Sequence, residues 1–276
     1  MCPLFRSLVN GDGGLTDRAT MICHCLLIET DRGLVLVDAG YGLGDIDDPS
    51  RLGPIVPVLQ ARLDPAETAA HQVEALGFRR EDVRHVVLTH LDLDHAGGIS
   101  DFPKARIHVM RREHEIAMQP GWRERTRYRP AHWAHGPDWA LHDVADGEPW
   151  FGFEAVRQLD GLSSEILLVP LHGHTLGHAG VAVDTRDGWL LHCGDAYFFH
   201  GEMDPESPRC TTGLAIFQAA AQMDGVKRRW NQRRLRALVR EHGHEVRVFS
   251  AHDPIELERF QRDTPRGNTE PIRVRP

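Results

Sequence analysis

The sequence predicts an α/β fold, two layers of sheet with helices outside, and three observations carry that reading. Hairpin signatures occupy both halves of the chain: β-type runs at 21–29 and 34–38 flank Asp31-Arg32-Gly33, and runs at 179–184 and 189–193 flank Arg186-Asp187-Gly188. Stretches of helical spacing lie at 66–76 and 214–243. Four predicted strands, 85–89, 165–171, 189–193 and 246–250, end within a few residues of His90, His174, Asp195 and His252 respectively. Strands laid side by side collect such groups along one edge, where loops supported by a rigid sheet hold functional sites.

Composition sets the limits. With 276 residues, 41% hydrophobic and 26% charged, the chain can bury a sizeable core unaided and is expected to form a single domain over 1–276. A net charge of -8 argues against binding a phosphate backbone, so no nucleic-acid partner is expected. The basic run Lys227-Arg228-Arg229 with Arg233, Arg234, Arg236 and Arg240 has helical spacing and reads as a solvated helix face. Five cysteines, an odd number, suggest reduced thiols and a cytoplasmic setting. Cys23 and Cys25 alternate with apolar residues on one strand, share a face and read as small core residues; as half of a metal site they lack an answering CxC or CxxC. The N-terminus, Met1-Cys2-Pro3-Leu4-Phe5-Arg6, lacks the apolar core of a signal peptide, and no apolar run is long enough to span a membrane.

Taken in order, the first hairpin ends in Asp38-Ala39-Gly40 and a glycine-rich loop, Tyr41-Gly42-Leu43-Gly44. The spacing is not that of a dinucleotide-binding loop, and the prolines and acidic residues from Asp45 to Pro57 predict no helix after it. Asp38 reads instead as a structural carboxylate beside the site. Asp64-Pro65-Ala66-Glu67 has the signature of a helix start, with Gly77 as the stop. Arg106 to Val109 is a short strand, and a polar helical stretch starts at Arg111. The segment 119–150 has no clear period and holds Trp122, Trp133, Trp139 and Trp150 with His132 and His135, so it reads as a loop insertion: a lid over an apolar substrate, or a satellite cluster that pins the loop. From Leu214 to Gly243 the pattern is helical with a break near Gly225, and the Pro- and Arg-rich tail after Arg262 is expected to be loosely attached.

The densest chemistry lies in His90-Leu91-Asp92-Leu93-Asp94-His95, two imidazoles and two carboxylates ahead of Gly97-Gly98. This mixture of nitrogen and oxygen donors suits zinc, iron or manganese rather than calcium or magnesium. With Asp38, His174 within Gly173-His174-Thr175, Asp195 within Gly194-Asp195-Ala196 and His252 within Ala251-His252-Asp253, it forms an ordered series. That series resembles the metallo-β-lactamase fold superfamily over nearly the whole chain, in particular its lactonase and glyoxalase II-like branch.

The resemblance implies an αββα sandwich with a dinuclear site between the sheets. It implies that His90, Asp92 and His174 hold a first metal, that Asp94, His95 and His252 hold a second, and that Asp195 bridges them. The departure is Asp92, where the family pattern HxHxDH has histidine. Two divalent ions are implied, zinc first; iron or manganese are alternatives because a carboxylate hardens the first site and the family's diiron branch carries glutamate there. Asp92 turned away, with the first site weak, is a third outcome.

The implied activity is that of a metal-dependent hydrolase: a bridging hydroxide attacks an ester-like carbonyl in a small-molecule lactone or thioester. Asp94 would pass a proton to the leaving group. Tyr197 would assist the carbonyl, although it stands two residues after the bridging aspartate rather than three as in the family's lactonases. His178 would contact substrate or a carboxylate, or be structural. His172, His192 and Cys193 read as packing. A diiron redox protein using Asp92 and a non-catalytic metal-containing sensor are the alternatives, and a homodimer is left open.

Overall fold

The two hairpins that organise the halves close by the same chemistry. Thr30 Oγ1 donates to the Gly33 carbonyl at 2.6 Å, and Thr185 Oγ1 donates to the Gly188 carbonyl at 2.6 Å. Gly33 and Gly188 sit at φ 114° and 110°, which a side chain would disfavour. This geometry comes from a computed structural model that describes residues 1–55, 60–143, 147–159, 161–162, 165–263 and 272–273.

The first hairpin is β1 (Leu26–Thr30) and β2 (Gly33–Val37), which continues through β3 (Val83–Val87), β4 (Arg106–Met110) and β5 (Asp138–His142). β2 to β5 run parallel, as expected of strands joined by crossovers. The second sheet is a mostly antiparallel series of β6 (Glu148–Trp150), β7 (Phe153–Gln158), β8 (Ile166–Pro170), β9 (Ala179–Thr185) and β10 (Gly188–His192), with β11 (Val246–Phe249) parallel at its edge.

Leu26, Ile28, Val35, Val37 and Val87 from one sheet pack on Ile166, Leu168, Val181, Val183 and Phe249 from the other, so the central core lies between the sheets. The outer faces are covered by helices. Ala70 and Val73 of α3 (Ala69–Ala75) and Ala117 of α5 (Arg111–Met118) pack on the first sheet, and Leu235 and Leu238 of α7 (Gly225–His242) on the second. The arrangement is the αββα sandwich. A four-residue α1 (Arg6–Val9), α2 (Leu43–Asp47), α4 (Leu93–Ala96), α6 (Thr212–Ala221) and α8 (Pro254–Asp263) complete the helices mentioned below.

Several local expectations are corrected. A short helix, α2, does follow the glycine loop, its Asp45 accepting from the Gly42 N–H. Asp64 starts a single 3-10 turn, Pro65–Glu67, and the helix proper begins one turn later, capped by Thr68, whose hydroxyl accepts from His71 N. The basic run is only partly a solvated face: Arg228 is buried, donating to Gln218 and Gln222, and Arg236 donates to the Glu202 carbonyl. The helical stretch does break near Gly225 as expected, at Gln222 to Asp224. Of the tail after Arg262, Asp263 ends α8 and Ile272–Arg273 pairs with β1 as a two-residue strand, β12; the rest of it lies outside the described residues.

Segment 119–150 is not one irregular loop. It supplies β5, a full member of the first sheet, and β6 of the second. Trp133 and Trp139 pack against the core of the first sheet and Trp150 is buried in that of the second, which favours the pinning cluster, while Trp122 is exposed.

Close packing ties the loop 172–178 to α5. A Cβ on Gly177 would overlap the Glu113 backbone. Gly177→Ala is therefore expected to cost about 1–3 kcal/mol through overpacking. Urea denaturation checks this, and an unchanged midpoint would contradict the contact.

Candidate metal centre

Every candidate ligand stands just beyond a strand end on the same edge of the sandwich. β2 delivers Asp38, β3 delivers His90 to His95, β8 His174, β10 Asp195 and β11 His252. Asp38 adopts φ 54°, a strained turn that aims its carboxylate at the neighbouring β3 end. There it accepts from Thr89 N at 2.8 Å, Thr89 Oγ1 at 2.8 Å and His95 Nδ1 at 2.8 Å.

These bonds settle which imidazole nitrogens face inward. Since the Thr89 hydroxyl gives its proton to Asp38, it accepts from His90 Nδ1, 2.9 Å away. His252 Nδ1 donates to the Ile22 carbonyl at 2.6 Å. His90, His95 and His252 thus carry their protons on Nδ1 and present Nε2 lone pairs to the cavity, the arrangement that metal-binding imidazoles adopt when carboxylates or carbonyls orient them.

The inward atoms converge on Asp195. Its Oδ2 lies 3.3 Å from His174 Nε2 and 3.8 Å from His90 Nε2. Its Oδ1 lies 3.0 Å from His252 Nε2 and 3.2 Å from His95 Nε2. Asp92 Oδ2 joins the first group, 3.1 Å from His174 Nε2 and 3.4 Å from His90 Nε2. Asp94 Oδ2 joins the second, 3.6 Å from His252 Nε2 and 4.0 Å from His95 Nε2.

The residues fit a pair of cations. His90 Nε2, His95 Nε2 and Asp195 Oδ1 are buried without hydrogen-bond partners. Lone pairs set against carboxylate oxygens repel unless positive charge lies between them. The same tension shows in the proton affinities. Burial works against the charged forms of His95 and His252, yet Asp195 and its neighbours hold both rings well above the ordinary imidazole range. Burial would likewise raise Asp195, and His252, His95 and His174 outweigh it, keeping the carboxylate well below its usual range.

Some sequence candidates fall elsewhere. Tyr197 is fully buried in the second sheet's outer core, its hydroxyl donating to Glu256 at 2.9 Å, so it is removed from the set that could touch substrate. His178 is committed at both nitrogens: Nδ1 donates to the Leu171 carbonyl at 3.0 Å and Nε2 accepts from Asp195 N at 2.9 Å. It positions the Asp195 loop, which is the structural alternative. His172 and His192 bond backbone groups, and Cys193 is buried in the core.

Two participants, Arg127 and Glu113, escaped sequence reasoning, and a third, Cys23, reads there as a small core residue rather than a ligand. Arg127, in segment 119–150, places Nη1 2.9 Å from Asp92 Oδ2 and 3.2 Å from Oδ1, and Nη2 2.5 Å from the Ala221 carbonyl. Burial would raise the Asp92 pKa, but Arg127, His90 and His174 keep it well below the carboxylate range. Glu113, buried on α5, accepts from Leu91 N at 3.0 Å, Tyr128 Oη at 2.9 Å, Thr175 Oγ1 at 2.6 Å and Gly177 N at 3.2 Å, joining both ligand loops. Cys23 Sγ groups with Asp94 and His252, all three donor atoms within 4.8 Å of one another. Cys25, by contrast, packs against the core as expected.

Comparison with known proteins identifies the family and the fold. Residues 19–246 match the metallo-beta-lactamase superfamily. A probable metallo-hydrolase of Mycobacterium tuberculosis is 46% identical over 250 residues, 88% of this chain and 78% of that one. An N-acyl homoserine lactonase of Agrobacterium fabrum is 39% identical over 97 residues, 35% of this chain and 37% of its own length. Among solved structures, an N-acyl homoserine lactone hydrolase with the product N-hexanoyl-L-homoserine at its catalytic metal center superposes with a TM-score of 0.67. It is 20% identical over 94% of this chain and 92% of that one, a likeness of fold.

The placement of Tyr197 generates a prediction. Tyr197→Phe leaves a Glu256 oxygen without its donor and is expected to lower stability by about 1–3 kcal/mol while kcat stays unchanged. A fall in kcat at an unchanged melting temperature would return Tyr197 to the reaction.

Proposed function

The chain belongs to the metallo-beta-lactamase superfamily, and from that premise we propose that it is a dinuclear metallohydrolase that opens the ester bond of a small-molecule lactone. The observation that carries the dinuclear part is Asp195, whose two oxygens face different histidine pairs. His90, Asp92 and His174 would hold one cation and Asp94, His95 and His252 the other, with Asp195 between. Divalent ions bound there supply a water acidified toward neutral pH and a Lewis acid for the carbonyl oxygen. The lactone is favoured over the thioester by the N-acyl homoserine lactonases among the relatives.

The chain's own groups then divide the work. Asp38 and Thr89 hold His90 and His95 in the Nδ1–H tautomer, so their ligand atoms need no rearrangement. His178 fixes Asp195 through its backbone N–H. Asp94 turns Oδ2 to the imidazoles, which leaves Oδ1 to take a proton from the attacking water and return it to the leaving oxygen. Tyr41, whose hydroxyl is buried without a hydrogen-bond partner, keeps its proton because burial and the Asp94 charge push its pKa up. The carboxylate at 92, which raised the diiron alternative, is ion-paired with Arg127, and the hydrolytic reading is favoured by the lactonases among the relatives.

The substrate reading is tested with metal-replete protein on lactones, thioesters, phosphodiesters and β-lactams. Lactone turnover that a chelator removes and zinc restores is expected; turnover of another class alone would displace it. Asp195→Ala is expected to lose both ions and all turnover. Two tightly held ions in that variant, measured by mass spectrometry of the metals, would refute the bridging role.

A further inference from the structure

We propose that the two metal positions are unequal: the second takes the Cys23 thiolate as an additional ligand and fills first, while Arg127 holds Asp92 and keeps the first position weak. The inference rests on the dinuclear reading above.

Cys23 is fixed beside the second position by its backbone. Ile22 N donates to the His252 carbonyl at 3.4 Å, His24 N donates to the Ala251 carbonyl at 2.8 Å, and His252 Nδ1 returns a bond to the Ile22 carbonyl at 2.6 Å. The stretch before β1 is thus laced to the loop that carries His252, and the thiol between these bonds stands within 4.8 Å of the ligand atoms of Asp94 and His252.

A separate observation marks the same place as a ligand site. His95 Nε2 and Asp195 Oδ1, in side chains only 1% and 4% exposed, have no hydrogen-bond partner and group with His252 within the same 4.8 Å. The two groups share His252, so the carboxylate of Asp94 and the sulfur of Cys23 flank that imidazole on one side and His95 and Asp195 on the other. Adding soft sulfur to nitrogen and oxygen donors favours zinc over manganese or magnesium, and the bound thiol gives its proton to solvent.

The first position is built differently. Its nitrogen donors are His90 and His174, and both oxygens of its own carboxylate, Asp92, are within 3.2 Å of the Arg127 guanidinium. That guanidinium is also held by the Ala221 carbonyl at the end of α6, and the next residue, Tyr128, is tied to buried Glu113. It is not free to swing away. A cation entering between His90 and His174 shares its carboxylate with a fixed positive charge, whereas one entering beside Cys23 meets three anionic donors.

Titration of the metal-free full-length protein with Co(II) separates these sites, because only a sulfur ligand produces a strong near-ultraviolet sulfur-to-cobalt charge-transfer band. The band is expected to grow with the first equivalent and stop there, with the second equivalent binding about tenfold more weakly or worse. Cys23→Ser should abolish the band while cobalt still binds. Arg127→Met should tighten the second equivalent by about tenfold or more, and Arg127→Gln, which keeps a donor for Asp92 without the charge, should do the same. Two bound equivalents without a band would overturn the thiolate ligand and leave the dinuclear reading intact. Equal affinities in the wild type, or weaker second binding in both Arg127 variants, would overturn the inequality. Absence of cobalt binding altogether would overturn the dinuclear reading itself.

Discussion

Burying negative charge at one edge of the sandwich is the constraint on which the rest of the structure depends. Asp38, Asp92, Asp94 and Asp195 are each 9% exposed or less, and carboxylates so placed are costly unless charge or donors meet them. Each is met differently. Asp38 has three donors, Asp195 lies among four imidazoles, and Asp92 has an arginine. Asp94 has imidazoles near one oxygen. Five strand ends and a segment from far along the chain must reach one place to assemble this, and a sandwich of parallel and antiparallel strands brings them there.

Rigidity around the site follows from the same need. Glu113 receives N–H groups next to His90 and near His174, so α5 acts as a strut between two ligand loops that belong to different sheets. Gly173, at φ 144°, brings the loop so close to α7 that a Cβ would strike the Arg228 backbone, and this close approach is why the residue before His174 has no side chain. Distances among ligands are therefore set by helix and sheet packing rather than by loops alone.

What was legible in the sequence follows the range of the signal. The strand before His174 is a continuous apolar run because both its faces are covered, whereas the strands before His90 and His252 are broken by the exposed Arg84 and Arg247 and show only an apolar majority. The partners that lie outside such runs were not legible. Glu113 sits in a polar helix whose pattern suits a surface, and nothing local distinguishes a buried carboxylate there from an exposed one. Cys23 alternates with apolar residues like a strand residue, yet its stretch pairs with the His252 loop and turns the thiol to the site. Tyr197 has nearly the spacing of a catalytic tyrosine, but spacing does not say which way a side chain points. Burying Glu256 beneath it created a partner that draws the hydroxyl into the core.

Asp92 is the residue at which local motif and global structure differ most. Replacing a neutral imidazole by a carboxylate adds one negative charge to a buried site that already holds three others. Arg127 cancels that charge, and its side chain is itself only 13% exposed. Either residue alone would leave an uncompensated buried charge, which is more damaging than the loss of the pair. Positions 92 and 127 therefore act as one unit although they are far apart in sequence. This accounts for the shape of segment 119–150: Trp133, Trp139, Trp150 and β5 anchor it to the sheets, and the anchored backbone carries Arg127 to the edge where Asp92 lies. An aspartate within the segment 90–95 can thus coexist with an unaltered sandwich, because the compensating charge arrives on a segment that the sheets themselves hold in place.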